Sequence, residues 1–183
     1  KIAEKHNVIL HTDAVQALGK MLINVNDLGV DLMSMSSHKI YGPKGVGALY
    51  IRRGLMLDPL IYGGGQEKKM RAGTENVSGI VGFGKACETI EKNIDEYINH
   101  YTTMRNLLES EILSNIKIAK INGGIENRLA NTLNISFGKN SSDMILVKLD
   151  LAGIAASAGA ACGAGGKAKS RVLSSLGIDE KQQ

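Results

Sequence analysis

"MSMSSHKIYGPKG", residues 33–45, decides how the chain is read. An apolar, strand-leaning run from Asp31 to Met35 stops abruptly in Ser36, Ser37, His38 and Lys39. A Gly-Pro-Lys-Gly turn (42–45) then leads into a second apolar run, Val46 to Ile51. Polar residues at a strand end are ordinary where a chain meets water. A hydroxyl, an imidazole and an amine gathered at one strand end are also the makings of a site. Ser36 and His38 alternate along an extended chain and so share a face, and that pair suits a phosphate group. Lys39 follows at the carboxyl end of an expected parallel strand, the edge where ligands of open α/β sheets collect. An amine there can form a Schiff base with a carbonyl compound. Lys44, inside the turn, reads as solvated.

Working outward, "NVILHTD" (7–13) is a short β-rich run ending in a carboxylate, and "AVQALGK" (14–20) follows as a brief helical or turn segment. Asp13 alone reads as a cap for that segment. Gln16, three positions on, falls on the same side of one helical turn and adds an amide to the carboxylate. Runs at 7–13, 31–36 and 46–51, separated by helical or turn stretches, predict an α/β domain with a covered, largely parallel sheet. "IYGGGQEKKMRAGTENVSG" (61–79) is too glycine-rich for a regular element and reads as a loop. Beyond it, apolar residues recur at 80, 83, 87, 90, 94, 97, 101, 104, 108 and 112. That helical period outlasts an ordinary globular helix, so a break is expected near Asn93 to Asn99. The second half offers strands at 116–121, 131–137 and 154–157, and a helix from Ser142 to Leu151 capped by "SSDM". A short helix in "KSRVLSSLG" (169–177) completes a smaller α+β domain. The expected domains are residues 1–95 and 96–183.

The 183 residues carry 22 Lys and Arg against 18 Asp and Glu, a net charge of +4, and the charges are scattered. No basic stripe with interleaved aromatics supports nucleic-acid binding, and no apolar run approaches the length of a membrane span. "KIAEKHN" at the start reads as the tail of a helix, so the chain looks like a piece of a longer protein. The two cysteines, Cys87 and Cys162, show no metal-ligand spacing and demand no disulfide, which fits a reducing cytoplasm and no bound metal. Cys87 lies on the helical period and reads as a small buried hydrophobe. Cys162 differs, because its neighbours in "SAGAACGAGGKAKS" are glycine and alanine, a segment that packs poorly and moves easily. Lys167, Lys169 and Arg171 nearby would favour a thiolate, the nucleophilic form.

A mobile thiol, a Schiff-base lysine and an aspartate able to hold a pyridinium belong to one machine. The chain resembles the NifS-like cysteine desulfurases of the class-V aminotransferase superfamily. The resemblance rests on "HTDAVQALGK", "DLMSMSSHKIYGPKGVGALYIRRG", "YGGGQEKKMRAGTEN" and "SAGAAC" followed by "SRVLSSLG", and it runs through nearly the whole chain. It implies a fold-type I enzyme dependent on pyridoxal phosphate (PLP), represented by part of the large domain and most of the small one. Lys39 would bind the cofactor covalently, Asp13 would pair with the pyridine nitrogen, and Gln16 would hydrogen-bond the ring oxygen. Ser36 and His38 would hold the phosphate, and Thr74 would reach the phosphate of a partner subunit, implying a homodimer. Cys162 would take the sulfur of L-cysteine as a persulfide, release L-alanine, and pass the sulfur to an acceptor protein of iron–sulfur or thiolation pathways. Two alternatives accompany this reading: a selenocysteine lyase or other class-V PLP enzyme, and an inactive piece that serves only as a scaffold or dimer element. Ser37 stands where many relatives carry glycine. The ring-stacking histidine and the substrate-gripping arginine of relatives fall outside these 183 residues, so the piece alone is expected to be inactive.

Overall fold

The computed structural model describes residues 2–138, 140–158 and 170–178. The chain divides into two compact units, and the division falls between His100 and Tyr101. In the first unit, helix α1 (Ile2–Lys5) leads to strand β1 (His11–Asp13), and helix α2 (Val25–Leu28) leads to strand β2 (Leu32–Ser36). Strand β3 (Gly47–Ile51) completes a sheet of order β1-β2-β3. Strands β1 and β2 are parallel, with Asp13 opposite Ser34. Strand β3 runs antiparallel to β2, pairing Ser36 with Gly47 and Leu32 with Ile51.

The expectation of a largely parallel sheet is therefore corrected at β3. A parallel return needs a crossover of about a dozen residues or more. Residues 37–46 are too few, and the Gly-Pro-Lys-Gly turn folds the chain straight back. Residues 14–31, with α2 among them, are long enough to carry β1 over to a parallel β2. Asp31 ties one edge of the sheet together, where β1 and β2 begin and β3 ends: one carboxylate oxygen accepts from the Leu10 amide at 2.8 Å and the other meets Arg52 Nε at 3.2 Å.

Two apolar clusters hold this unit. Ala14, Val30 and Met33 form one, on the sheet, with Leu10, Ile23 and Tyr50 packed around them. Ile40, Phe83 and Ile90 form the other, with Leu18, Val46, Ala86 and Ile94 against it. Phe83 and Ile90 belong to helix α3 (Val77–Asn115), which runs unbroken for 39 residues. The expected break near Asn93 to Asn99 does not occur. Residues 85–115 contain neither glycine nor proline, and kinks usually need one or the other. Asn93 returns its side-chain amide to the Thr89 carbonyl at 2.7 Å and leaves the helix intact. The buried seam of α3 passes through Ala86, and Cys87 beside it is exposed. The expectation of a buried Cys87 is thus corrected. Both residues sit three or four positions from Phe83 and Ile90, so spacing alone could not separate them.

In the second unit, strands β4 (Ala119–Ile121) and β5 (Ile135–Phe137) pair antiparallel. Helix α4 (Ser142–Leu151) and helix α5 (Arg171–Ser175) follow. Ser141 occupies the N-cap of α4 but its side chain makes no capping bond, whereas Ser170 Oγ caps α5 through the Leu173 amide at 3.3 Å. The expected strand at 154–157 is irregular chain. Gly153, in the left-handed region at φ +76°, closes α4, and the Ile154 amide bonds back to the Leu149 carbonyl at 2.8 Å. That amide ends a helix and cannot begin a ladder. Among the described residues no helix is long and apolar enough to cross a membrane.

Arg128 and Glu109 form an ion pair with side chains only 11% and 15% exposed. Breaking a buried pair strands the remaining charge, at a cost of about 3 to 5 kcal/mol. Arg128→Ala is accordingly expected to lower the stability of the second unit by that amount in denaturant unfolding of the full-length protein. A change under about 1 kcal/mol, the range of exposed pairs, would mean that Glu109 is solvated.

Candidate active site

Because β1 and β2 are parallel neighbours, their carboxyl ends open at one edge of the sheet. Asp13 ends β1 and Ser36 ends β2. The Asp13 carboxylate accepts from the Val15 amide at 2.9 Å through Oδ1, which turns the chain into the 14–18 bend carrying Gln16. The Ala17 and Leu18 amides both return to the Ala14 carbonyl, so this segment is a single turn. Asp13 and Gln16 are both exposed.

The segment Ser37–Ile40 is a 3-10 turn. In that geometry residues three apart eclipse one another. Ser37 and Ile40 are such a pair, and they are 0% and 2% exposed. Ile40 anchors the turn in the Phe83–Ile90 cluster. With Ser37 and Ile40 inward, the two residues between them remain accessible: His38 is exposed and Lys39 half-buried. Ser36 Oγ and His38 Nδ1 are 3.0 Å apart, a hydroxyl–imidazole pair directly beside Lys39. Gly42 packs closely here: a Cβ would lie 2.2 Å from Ser37 Oγ, so a side chain would force that hydroxyl to move. That hydroxyl is buried without a hydrogen-bond partner among the described residues.

Two residues of this region escaped the sequence reading. His11 Nε2 lies 2.8 Å from Ser34 Oγ, and since His11 and Asp13 alternate on β1 they share its face. That period was available as a signal. Lys20 is the second, only 8% exposed, with its ammonium donating to the Lys39 carbonyl at 2.5 Å. Burial, and after it the Lys39 charge, hold the Lys20 amine below the usual lysine range. Nothing in the sequence distinguishes a buried lysine from the solvated majority.

The structure brings Asp13, Gln16, Ser36, His38 and Lys39 to β-strand ends and turns at one side of the sheet. Thr74 is exposed in the segment before α3, and no hydrogen bond or ion pair joins it to that group among the described residues. The segment read as a loop at 61–79 contains a 3-10 turn, Gln66–Lys69, and gives way to α3 at Val77. Glu67, Lys68 and Lys69 all have left-handed φ values, between 48° and 68°. Cys162, with Lys167 and Lys169, lies outside the described residues.

A sheet edge bearing a carboxylate, an amine and a hydroxyl–imidazole pair defines an α/β enzyme domain of the fold-type I class. Residues 1–182 match the sequence model of the family described as aminotransferase class-V, and the chain belongs to that family. It is 47% identical over 178 residues to a cysteine desulfurase IscS of Dictyoglomus turgidum, covering 97% of this chain and 45% of that one. It is 45% identical to a cysteine desulfurase of Gluconacetobacter diazotrophicus, covering 97% and 44%. The chain thus spans a little under half the length of these curated relatives. Among solved structures, a NifS-like protein superposes with a TM-score of 0.86 at 37% identity, covering 99% of this chain and 46% of that one. A NifS-like protein from Rickettsia africae gives 0.88 at 34%, covering 99% and 47%.

The class-V aminotransferase family uses PLP. The residues present fit that group chemically: an anion for a protonated ring nitrogen, an amine for an aldehyde, and a hydroxyl with an imidazole for a phosphate. The donors stand at the strand edge where such a ligand is expected.

Proposed function

We propose that the full protein is a cytoplasmic, homodimeric, PLP-dependent cysteine desulfurase that converts L-cysteine to L-alanine and hands the sulfur to an acceptor protein. The observation that carries this reading is the Ser36–His38 pair beside Lys39 at the same strand edge as Asp13, and the names of the relatives support it. When bound, the cofactor supplies an electron sink that weakens bonds at the substrate's Cα and Cβ.

The remaining work falls to side chains of this chain. The Asp13 carboxylate holds the proton on the ring nitrogen, and its anchoring by the Val15 amide keeps it at the strand end. The Gln16 amide donates to the ring oxygen. The Ser36 hydroxyl and the His38 imidazole hold the phosphate, orienting each other across their 3.0 Å contact. Thr74 extends the phosphate site of a second copy. The Lys39 Nζ anchors the cofactor and, once released by substrate, moves the proton at Cα. The Cys162 thiolate attacks the substrate sulfur: an S–S bond forms as the Cβ–S bond breaks, and the electron pair of the broken bond stays with the three-carbon fragment. That fragment is protonated and leaves as alanine, and the persulfide remains on Cys162 for transfer.

The expected result for the full-length protein supplied with PLP and L-cysteine is alanine and, with a thiol reductant present, sulfide in about equal amounts, since one C–S bond is broken per turnover. Turnover of selenocysteine but not cysteine would move the assignment to a selenocysteine lyase. Alanine without sulfur release would contradict it.

A further inference from the structure

Lys20 is buried, and nothing in the proposed chemistry uses it. A buried ammonium is costly and normally has a carboxylate partner. Lys20 forms no ion pair among the described residues. Its hydrogen bonds go to main-chain carbonyls, that of Lys39 at 2.5 Å and that of Leu18 at 3.4 Å. The two turns that carry Lys20 and Lys39 are pressed together. A Cβ on Gly19 would lie 2.9 Å from Ile40 Cγ2, and the +75° φ of Gly19 is one that glycine adopts without strain. The contact therefore spans two elements that are already packed.

We propose that Lys20 is a positioning residue: its ammonium clamps the Lys39 main-chain carbonyl and fixes the turn from which the Lys39 side chain departs. This rests on reading Lys39 as the cofactor lysine. The carbonyl at the cramped end of a short 3-10 turn has few alternatives, because Tyr41 leaves the turn at φ +65° and its amide is committed to the Ser37 carbonyl. The Gly42 amide bonds to the same Ser37 carbonyl at 3.1 Å. A cation delivered from the neighbouring turn satisfies the Lys39 carbonyl without adding a residue to the turn. The depressed proton affinity of Lys20 is the consequence of holding it there, chiefly by burial and secondly by the Lys39 charge.

The test compares wild type, Lys20→Met and Lys20→Arg in the full-length protein by amide hydrogen exchange and by cofactor capture. Without cofactor, protection of the Tyr41 and Gly42 amides is expected to fall on the order of tenfold or more in Lys20→Met, because a charge-assisted bond to the turn is lost. Lys20→Arg, which keeps a cationic donor, is expected to restore protection to within about threefold. With added PLP, the rate of borohydride-trapped labelling at Lys39 should drop and recover in the same order. Unchanged protection in Lys20→Met would overturn the clamp. Absence of Lys39 labelling in the wild type would overturn the cofactor assignment, while the exchange arm would still decide the clamp. If Lys20→Met does not fold, amine acylation of the wild type decides: Lys20 should react at least about tenfold more slowly than exposed Lys44, and equal reactivity would overturn the proposal.

Discussion

Lys39→Ala in the full-length protein is expected to abolish covalent PLP and with it all turnover of cysteine. The alanine removes the only amine in the 3-10 turn that Ser37 and Ile40 anchor. The turn itself should persist, since its buried residues are untouched and Lys39 is half-buried. Loss of proton transfer at Cα alone costs about 10²- to 10⁴-fold, and loss of covalent anchoring adds to it. Borohydride reduction followed by peptide mapping should label Lys39 in the wild type and nothing in the variant. Labelling at Lys20 or Lys44 would show that the strand-end lysine is not the cofactor's anchor. Lys20 makes a demanding control, because its amine reaches the Lys39 carbonyl.

Cys162→Ser should separate cofactor chemistry from sulfur transfer. Neither cofactor attachment nor substrate capture uses the thiol, so the variant should load PLP normally and change its visible spectrum on adding cysteine. A serine hydroxyl is essentially never ionised at neutral pH and is a poor nucleophile towards sulfur, whereas a thiol carries an appreciable thiolate fraction. Sulfide release is expected to fall by at least about 10²-fold. Retention of near wild-type desulfuration would reduce Cys162 to an ordinary residue of its glycine-rich segment. Cys87, exposed on α3 one position beyond the seam residue Ala86, is the control thiol, and Cys87→Ala should leave sulfide release unchanged.

The strand-end cluster was legible because its residues lie close together in the sequence around the ends of β1 and β2. A parallel β1–β2 pair sends Asp13 and Ser36 to the same edge, and Ser36 and His38 do meet, though across the step from β2 into the 3-10 turn and not by alternation on a strand. What failed were inferences needing tertiary information. The direction of β3 depends on how far a connection can reach, which pattern alone does not weigh. The break in α3 was expected only because the helical period outlasts an ordinary globular helix, and with neither glycine nor proline in residues 85–115 nothing in the chain enforces one. Ala86 and Cys87 fit the same period, and only the position of Ile40 across the interface selects between them. The segment at 154–157 looked extended, but the Ile154 amide is taken by the end of α4. Lys20 was invisible for a related reason, since burial of a lysine is created by neighbours far along the chain.

The claim that joins these observations is that sulfur leaves cysteine at the Lys39 site and arrives on Cys162. The most direct measurement is mass spectrometry of the full-length, PLP-loaded protein after brief exposure to L-cysteine, with thiols blocked and the digest kept free of reductant. The account predicts one added sulfur on the peptide containing Cys162 and none on the peptide containing Cys87, with no such addition in Lys39→Ala. Alanine formation without sulfur on Cys162, or sulfur that appears there equally in Lys39→Ala, would contradict it.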